Sequence, residues 1–203
     1  MIPAKEAFER LRDGNHRFVS SIKSGTATER RFELTHVQKP FAIILGCSDA
    51  RVPAEIVFDQ GMGDLFVIRV AGNIVAPSQV GSVEFAAARF DTRLVVVLGH
   101  SQCGAIQATI EELQQPSNQS LNLKSIVDRV RPSVAPLFKT ELRHDLAALT
   151  RQAERANVSA SVNHLRHGSE VLEQLIQKNG LRVVGAEYSL ETGVVEFFDG
   201  VDG

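Results

Sequence analysis

The sequence predicts an α/β protein: a single open sheet of mainly parallel strands, flanked by helices, with an antiparallel C-terminal edge strand. Three observations carry that expectation. Short apolar runs, Phe41-Ala-Ile-Ile-Leu-Gly46, Leu65-Phe-Val-Ile-Arg69 and Leu94-Val-Val-Val-Leu98, alternate with segments of helical pattern. Strands spaced that way are joined by right-handed crossovers and lie parallel. Near the end, Leu181 to Tyr188 and Gly193 to Phe198 are linked through Glu191-Thr-Gly193 and read as a hairpin. Finally, the runs 41–46 and 94–98 each finish at or just before a glycine and deliver chemically active side chains immediately beyond it. In an open α/β sheet, ligands bind beyond such strand ends, at a topological switch point.

Taken in order, residues 3–22 read as an amphipathic helix, with Phe8, Leu11, Phe18 and Ile22 at helical intervals among charged residues. The polar stretch Ser24-Gly-Thr-Ala-Thr-Glu-Arg-Arg31 separates it from the first strand. That length lets the helix pack away from its own sheet, so residues 1–35 are expected to form an arm on a partner subunit. A helix lying on its own domain is the alternative. Strand 41–46 leads to a short helix near 54–59, opened by Pro53. Strand 65–69 is followed by a helix from Ser78 or Gln79 to Arg89, in which Ala86, Ala87 and Ala88 allow close packing. Strand 94–98 precedes a helix over Cys103 to Leu113. Beyond the polar stretch Gln114 to Leu121, helices are expected over 122–137, 139–156 and 158–179, the last stopping at Asn179-Gly180. Residues 1–203 are read as a single domain.

The formal charge of −2 gives no electrostatic reason to expect nucleic acid or an anionic membrane surface. No apolar run approaches the length of a membrane span. The charged start, Met1-Ile-Pro-Ala-Lys-Glu, lacks the apolar core of a secretory signal, which predicts a cytoplasmic protein. Two cysteines exclude a disulfide framework, and a reduced pair is expected. A single bridge between Cys47 and Cys103 is the alternative.

Chemistry concentrates in Gly46-Cys47-Ser-Asp49-Ala-Arg51 and Gly99-His100-Ser-Gln-Cys103-Gly104. Cys47, His100 and Cys103 form a two-sulfur, one-nitrogen set that suits zinc. A closed structural site takes four protein ligands, and three leave the fourth position to water or to Asp49. Catalytic zinc sites keep that position open, and the metal lowers the pKa of a bound water to about 7. Held by Arg51, Asp49 would orient the nucleophile. Released from it, the carboxylate would ligate the metal and shut the site. An ordinary buried ion pair is the plain alternative for these two residues.

The two motifs, about fifty residues apart, resemble those of the beta-class carbonic anhydrases. The similarity extends to Ala54-Glu55-Ile-Val-Phe-Asp59-Gln, Gly63-Asp64-Leu-Phe-Val-Ile-Arg69, Ala71-Gly72-Asn73 and Gly81-Ser82-Val-Glu84-Phe85. The resemblance implies reversible hydration of CO₂ to bicarbonate and a proton. It implies one zinc ion on Cys47, His100 and Cys103, with Asp49 and Arg51 as the catalytic dyad. It further implies an intertwined homodimer, often doubled to a homotetramer, in which the N-terminal helix crosses to the partner. In the plant-like branch, Gln38 matches a substrate-binding glutamine from across the dimer interface. Phe66, Ala71, Phe85 and Gly104 fall where that branch lines its pocket, with Phe85 in place of a commoner Tyr and Ala71 smaller than the usual Val. Another branch carries an inhibitory bicarbonate site of Trp, Arg and Tyr. Arg69 and Tyr188 match two of these positions, but Ile44 stands at the Trp position and the chain has no Trp. The form with water on zinc is therefore expected.

The remaining histidines have plainer readings. His164 and His167 sit three apart on a helical face exposed to solvent, and His16, His36 and His144 read as structural or surface residues. Gly72 and Gly81 lack the lysine and spacing of a phosphate loop. Two alternative functions fit the same motifs. One is hydrolysis of carbonyl sulfide or carbon disulfide on the same scaffold. The other is a non-catalytic zinc or thiol sensor, against which the Asp49–Arg51 pair speaks, because sensing needs neither residue.

Overall fold

The structure, a computed structural model, describes residues 2, 4–23, 37–116 and 119–201. The expected polar connection at 24–31 and His36 lie outside them. The chain forms two compact units, Met1–Gln38 and Lys39–Gly203. In the first, α1 (Ala4–Lys23) is the amphipathic helix expected. Three of its large apolar residues are open to solvent: Phe8 is 63% exposed, Leu11 75% and Phe18 40%.

The second unit is built on one five-stranded sheet of β1 (Ala42–Gly46), β2 (Leu65–Arg69), β3 (Leu94–His100), β4 (Arg182–Tyr188) and β5 (Val195–Asp199). The strand order is β2-β1-β3-β4-β5. The first four strands are mutually parallel and β5 runs antiparallel on β4, as the sequence predicts. Between β1 and β2 lies α2 (Ala54–Val57), and α3 (Pro77–Arg89) carries the chain from β2 past β1 to β3. The strand order therefore reverses at β1 and β3, and these neighbours frame the switch point.

Alternation along the strands divides the core. Ile43, Leu45, Val95 and Val97 point to a cluster with Val83, Val158, Val162 and Leu172. Ile44, Val96, Leu98 and Val184 face the other way, with Val52 and Ala54. That second face keeps an apolar hollow of about 200 Å³ between residues such as Phe41, Ile44, Val96 and Phe197. A third cluster joins Cys47 and Cys103 to α4 (Gly104–Gln114), α5 (Leu121–Val134) and α6 (Leu146–His167).

The helices after residue 121 correct the sequence reading. The helix expected over 122–137 ends at Val134 and gives way to a 3₁₀ turn, Ala135–Lys139, and the one expected from 139 starts only at Leu146, after a second turn, Glu141–His144. No break occurs near 157. One helix, α6, runs through it to His167 and ends at Gly168, and α7 (Glu170–Asn179) follows. The residues that resemble a breaker are buried polar anchors: Asn157 donates to Gly72 O at 2.8 Å and Ser161 to Asn73 O at 3.0 Å. Satisfied in this way, they sit inside a helix without penalty. Gly180 closes α7 in the left-handed conformation, as Asn179-Gly180 predicts. Strand β3 also continues two residues beyond the expected Leu98, through His100.

Candidate metal centre

Adjacent parallel strands bring the two motifs together. Gly46 lies opposite Leu98, so Cys47 leaves β1 beside Gly99 and His100. His100 ends β3, a two-residue turn follows, and Cys103 is the N-cap of α4. One ligand atom from each of Cys47, His100 and Cys103 lies within 4.8 Å of the others, and all three residues are buried. Both thiols are free. The thiols form the reduced pair expected, and not the alternative single bridge.

His100 Nδ1 lies 2.9 Å from Ser101 O, which assigns the proton to Nδ1. Its Nε2 is buried with no hydrogen-bond partner. An orphaned imidazole nitrogen beside two thiols is costly unless something electrophilic completes it. The Cys103 thiol beside it pulls the Cys47 thiol down towards thiolate against the cost of burial, helped by His100 and by the Gly72 N–H at 3.3 Å from its sulfur. Cys103 moves the other way, pushed up by Cys47 and by burial. For His100, burial opposes protonation, but Cys47 and the Ser101 carbonyl outweigh it and raise its pKa. Two sulfurs competing for one proton, next to an unpaired nitrogen, fit a soft divalent cation such as zinc.

Asp49 and Arg51 form a fork. Arg51 Nε donates to Asp49 Oδ1 at 2.9 Å, and Nη2 to Oδ2 at 2.7 Å. The guanidinium hydrogen bonds hold the Asp49 carboxyl far below the usual carboxylate range. Asp49 Oδ2 lies 3.9 Å from His100 Nε2, which places the carboxylate at the edge of the ligand cluster. Arg69 has a role not read from the sequence: it donates to Cys47 O at 2.9 Å and to Asp49 O, fixing the backbone that carries both groups.

Further supports come from elements distant in sequence. Buried Glu154 of α6 accepts the Cys103 N–H at 2.9 Å through Oε1. Glu191, on the β4–β5 turn, accepts from Ser101 Oγ at 2.8 Å and Gln102 Nε2 at 2.6 Å. Gly72 adopts a φ of 71°, which a side chain would disfavour, and an added Cβ would meet that of Ala105 at 3.0 Å. No local motif marks Glu154 or Glu191. Only their contacts do.

The expected pocket residues divide. Ala71 adjoins Gly72, whose amide contacts the Cys47 sulfur, and Gly104 begins α4 directly after Cys103. Phe66 packs in the cluster of Ile43 and Leu45, apart from the one that contains Cys47 and Cys103. The ring of Phe85 lies 6.2 Å from that of Phe66 and is 54% exposed. Gln38 is exposed and ends the first compact unit. His164 and His167 are exposed on α6, and His144 pairs with Arg143 and Glu141.

Comparison with known proteins agrees with this geometry. The family model for carbonic anhydrase matches residues 42–195. The carbonic anhydrase of Mycolicibacterium smegmatis is 39% identical over 194 residues, covering 94% of this chain and 91% of that protein. Carbonic anhydrase 2 of Mycobacterium tuberculosis is 36% identical over 189 residues, covering 92% and 89%. Among solved structures, a tetrameric beta-carbonic anhydrase of Sordaria macrospora shares the fold, with a TM-score of 0.80 at 21% identity over 96% of this chain and 97% of that one. With the sheet order, the buried Cys-His-Cys cluster and these matches in agreement, the chain belongs to the beta-class carbonic anhydrases, a family of carbonate dehydratases.

Proposed function

We propose that this carbonate dehydratase converts CO₂ and water reversibly to bicarbonate and a proton at a zinc ion held by Cys47, His100 and Cys103. The observation that carries the reading is the buried, unpartnered Nε2 of His100 beside two free thiols. When bound, zinc supplies a Lewis acid and a water acidic enough to serve as nucleophile near neutral pH.

The chain's own residues do the rest. Arg51 keeps Asp49 ionised and turned away from ligation. Asp49 then accepts a hydrogen bond from the nucleophilic oxygen and directs its lone pair at the carbon of CO₂. This paired geometry supports the open form over the form closed by Asp49. Ala71 and Gly104 border the site and leave room for a small apolar substrate. Gln38, Phe66 and Phe85 complete its pocket once a second subunit is present. We assign α1 to that partner, in a homodimer or homotetramer, because Phe8, Leu11 and Phe18 are exposed in the single chain. Two free buried thiols suit the reducing cytoplasm. No helix among the described residues is long and apolar enough to cross a membrane.

Stopped-flow CO₂ hydration, on protein of measured zinc content and with carbonyl sulfide in parallel, tests the proposal. Rapid hydration proportional to zinc supports it. Zinc-dependent turnover of carbonyl sulfide without hydration transfers the assignment to that substrate, and inactivity at one zinc per chain leaves a sensor.

A further inference from the structure

We propose that Glu191 is a positioning residue that sets both the metal-ligand loop and the dyad arginine. The inference rests on the metal site proposed above. Only Ser101 and Gln102 separate His100 from Cys103. Their backbone therefore decides where the imidazole and the second sulfur point relative to each other. Gln102 sits at φ 58°, a left-handed conformation that a non-glycine residue keeps only when its surroundings hold it.

Glu191 supplies that hold. Its Oε2 accepts from Ser101 Oγ at 2.8 Å and its Oε1 from Gln102 Nε2 at 2.6 Å, so each carboxylate oxygen grips one of the two bridging residues. Ser189 Oγ donates to Oε2 at 3.1 Å and steadies the carboxylate from its own turn. Ser101 Oγ in turn accepts the Leu190 N–H at 2.9 Å, and Ser101 N donates to Tyr188 O at 3.0 Å. Ser101 O then receives His100 Nδ1. On the other side, Gln102 O accepts from Arg51 Nη2 at 3.3 Å. One carboxylate on the β4–β5 turn is thus a single residue away from His100, from Cys103 and from the guanidinium that holds Asp49.

The chemistry explains why an acid suits the position. A carboxylate accepts at both oxygens at once. Glutamine can still accept from Gln102 and donate to the Ser101 hydroxyl, whereas leucine can do neither. The hairpin itself does not depend on Glu191. It is held by the β4–β5 ladder, by the Gly193 N–H to Ser189 O bond and by Arg155 bridging Glu187 and Glu196.

The test compares zinc-loaded parent protein with Glu191→Leu, Glu191→Gln and Glu196→Gln, the last loosening the same hairpin away from the ligand loop. Zinc release to a chromogenic chelator and the visible spectrum of cobalt(II)-substituted protein are read alongside thermal stability. Glu191→Leu is expected to release zinc about tenfold faster and to alter the cobalt bands, as loss of an outer-shell hold on ligands does. Glu191→Gln should restore most of both, and Glu196→Gln should release zinc at the parent rate whatever its thermal shift. Parent-like release and spectrum in Glu191→Leu would overturn the proposal. If that variant does not fold, the double variant Ser101→Ala with Gln102→Ala removes both grips from the opposite side, and parent-like release from it would overturn the proposal equally. A parent protein that fails to hold one zinc per chain would instead refute the metal reading, before any variant is compared.

Discussion

Individual carboxylates in this protein are tuned in opposite directions by what surrounds them. Asp49 is kept ionised by the Arg51 fork, and its proposed work is to orient the nucleophile, not to bind the metal. Asp49→Ala is therefore expected to retain zinc, measured by elemental analysis, while kcat/KM for hydration falls by roughly 10²-fold or more, the cost of a misdirected nucleophile. Full activity in that variant would remove Asp49 from the mechanism. Glu187 illustrates the reverse tuning. Burial pushes its pKa up, and the Arg155 guanidinium only partly offsets this. The folded state then binds a proton that the unfolded chain releases near the ordinary glutamate value of 4.5. Stability consequently declines as pH rises above that value, until the folded carboxyl has also ionised. Glu187→Gln, which leaves Arg155 its Glu196 partner, should flatten this decline in thermal melts followed upward from about pH 4.5. An unchanged slope would show that burial of Glu187 is not the cause.

At the scale of elements, the site depends on how closely α6 approaches the end of β3 and the middle of β4. A Cβ added at Gly99 would overlap Val158 Cγ2, and one at Gly185 would meet Val158 Cγ1 at 2.9 Å. Val158 fills the space that the two glycines leave. Because Gly99 precedes His100, a side chain there pushes on α6 and on a proposed metal ligand together. Gly99→Ala is expected to cost about 1–3 kcal/mol in urea unfolding and to weaken zinc retention. Adding Val158→Ala should recover part of the loss, so that the double variant is more stable than the sum of the singles implies. The same close approach explains why the expected helix boundary at 157 failed. Asn157 and Ser161 look like a break in an apolar pattern, yet their partners are carbonyls of Gly72 and Asn73, more than eighty residues earlier in the chain. Periodicity along one segment cannot register a hydrogen bond supplied by another. The strands are more legible because their apolar runs are short, continuous and bounded by glycine and polar residues, and the run Leu65–Arg69 coincides with β2 for that reason.

At the scale of the whole molecule, α1 presents Phe8 and Leu11 largely to solvent in the single chain. If these residues seat on a second subunit, Phe8→Ser with Leu11→Ser should shift the sedimentation profile towards monomer and lower specific activity together. An unchanged profile would place the helix outside the interface. The amino-acid sequence by itself determined the α/β class, the strand positions and the two motifs that hold Cys47, Asp49, Arg51, His100 and Cys103. These depend on local pattern and residue chemistry, which the chain carries at each point. Tertiary structure alone decided which nitrogen of His100 is left unpartnered, how Arg51 forks onto Asp49, and that Glu154, Glu191 and Arg69 support the site. Hydrogen bonds are directional and short in range, so such supports exist only once strand order and helix packing have brought residues up to ninety positions apart within 3 Å.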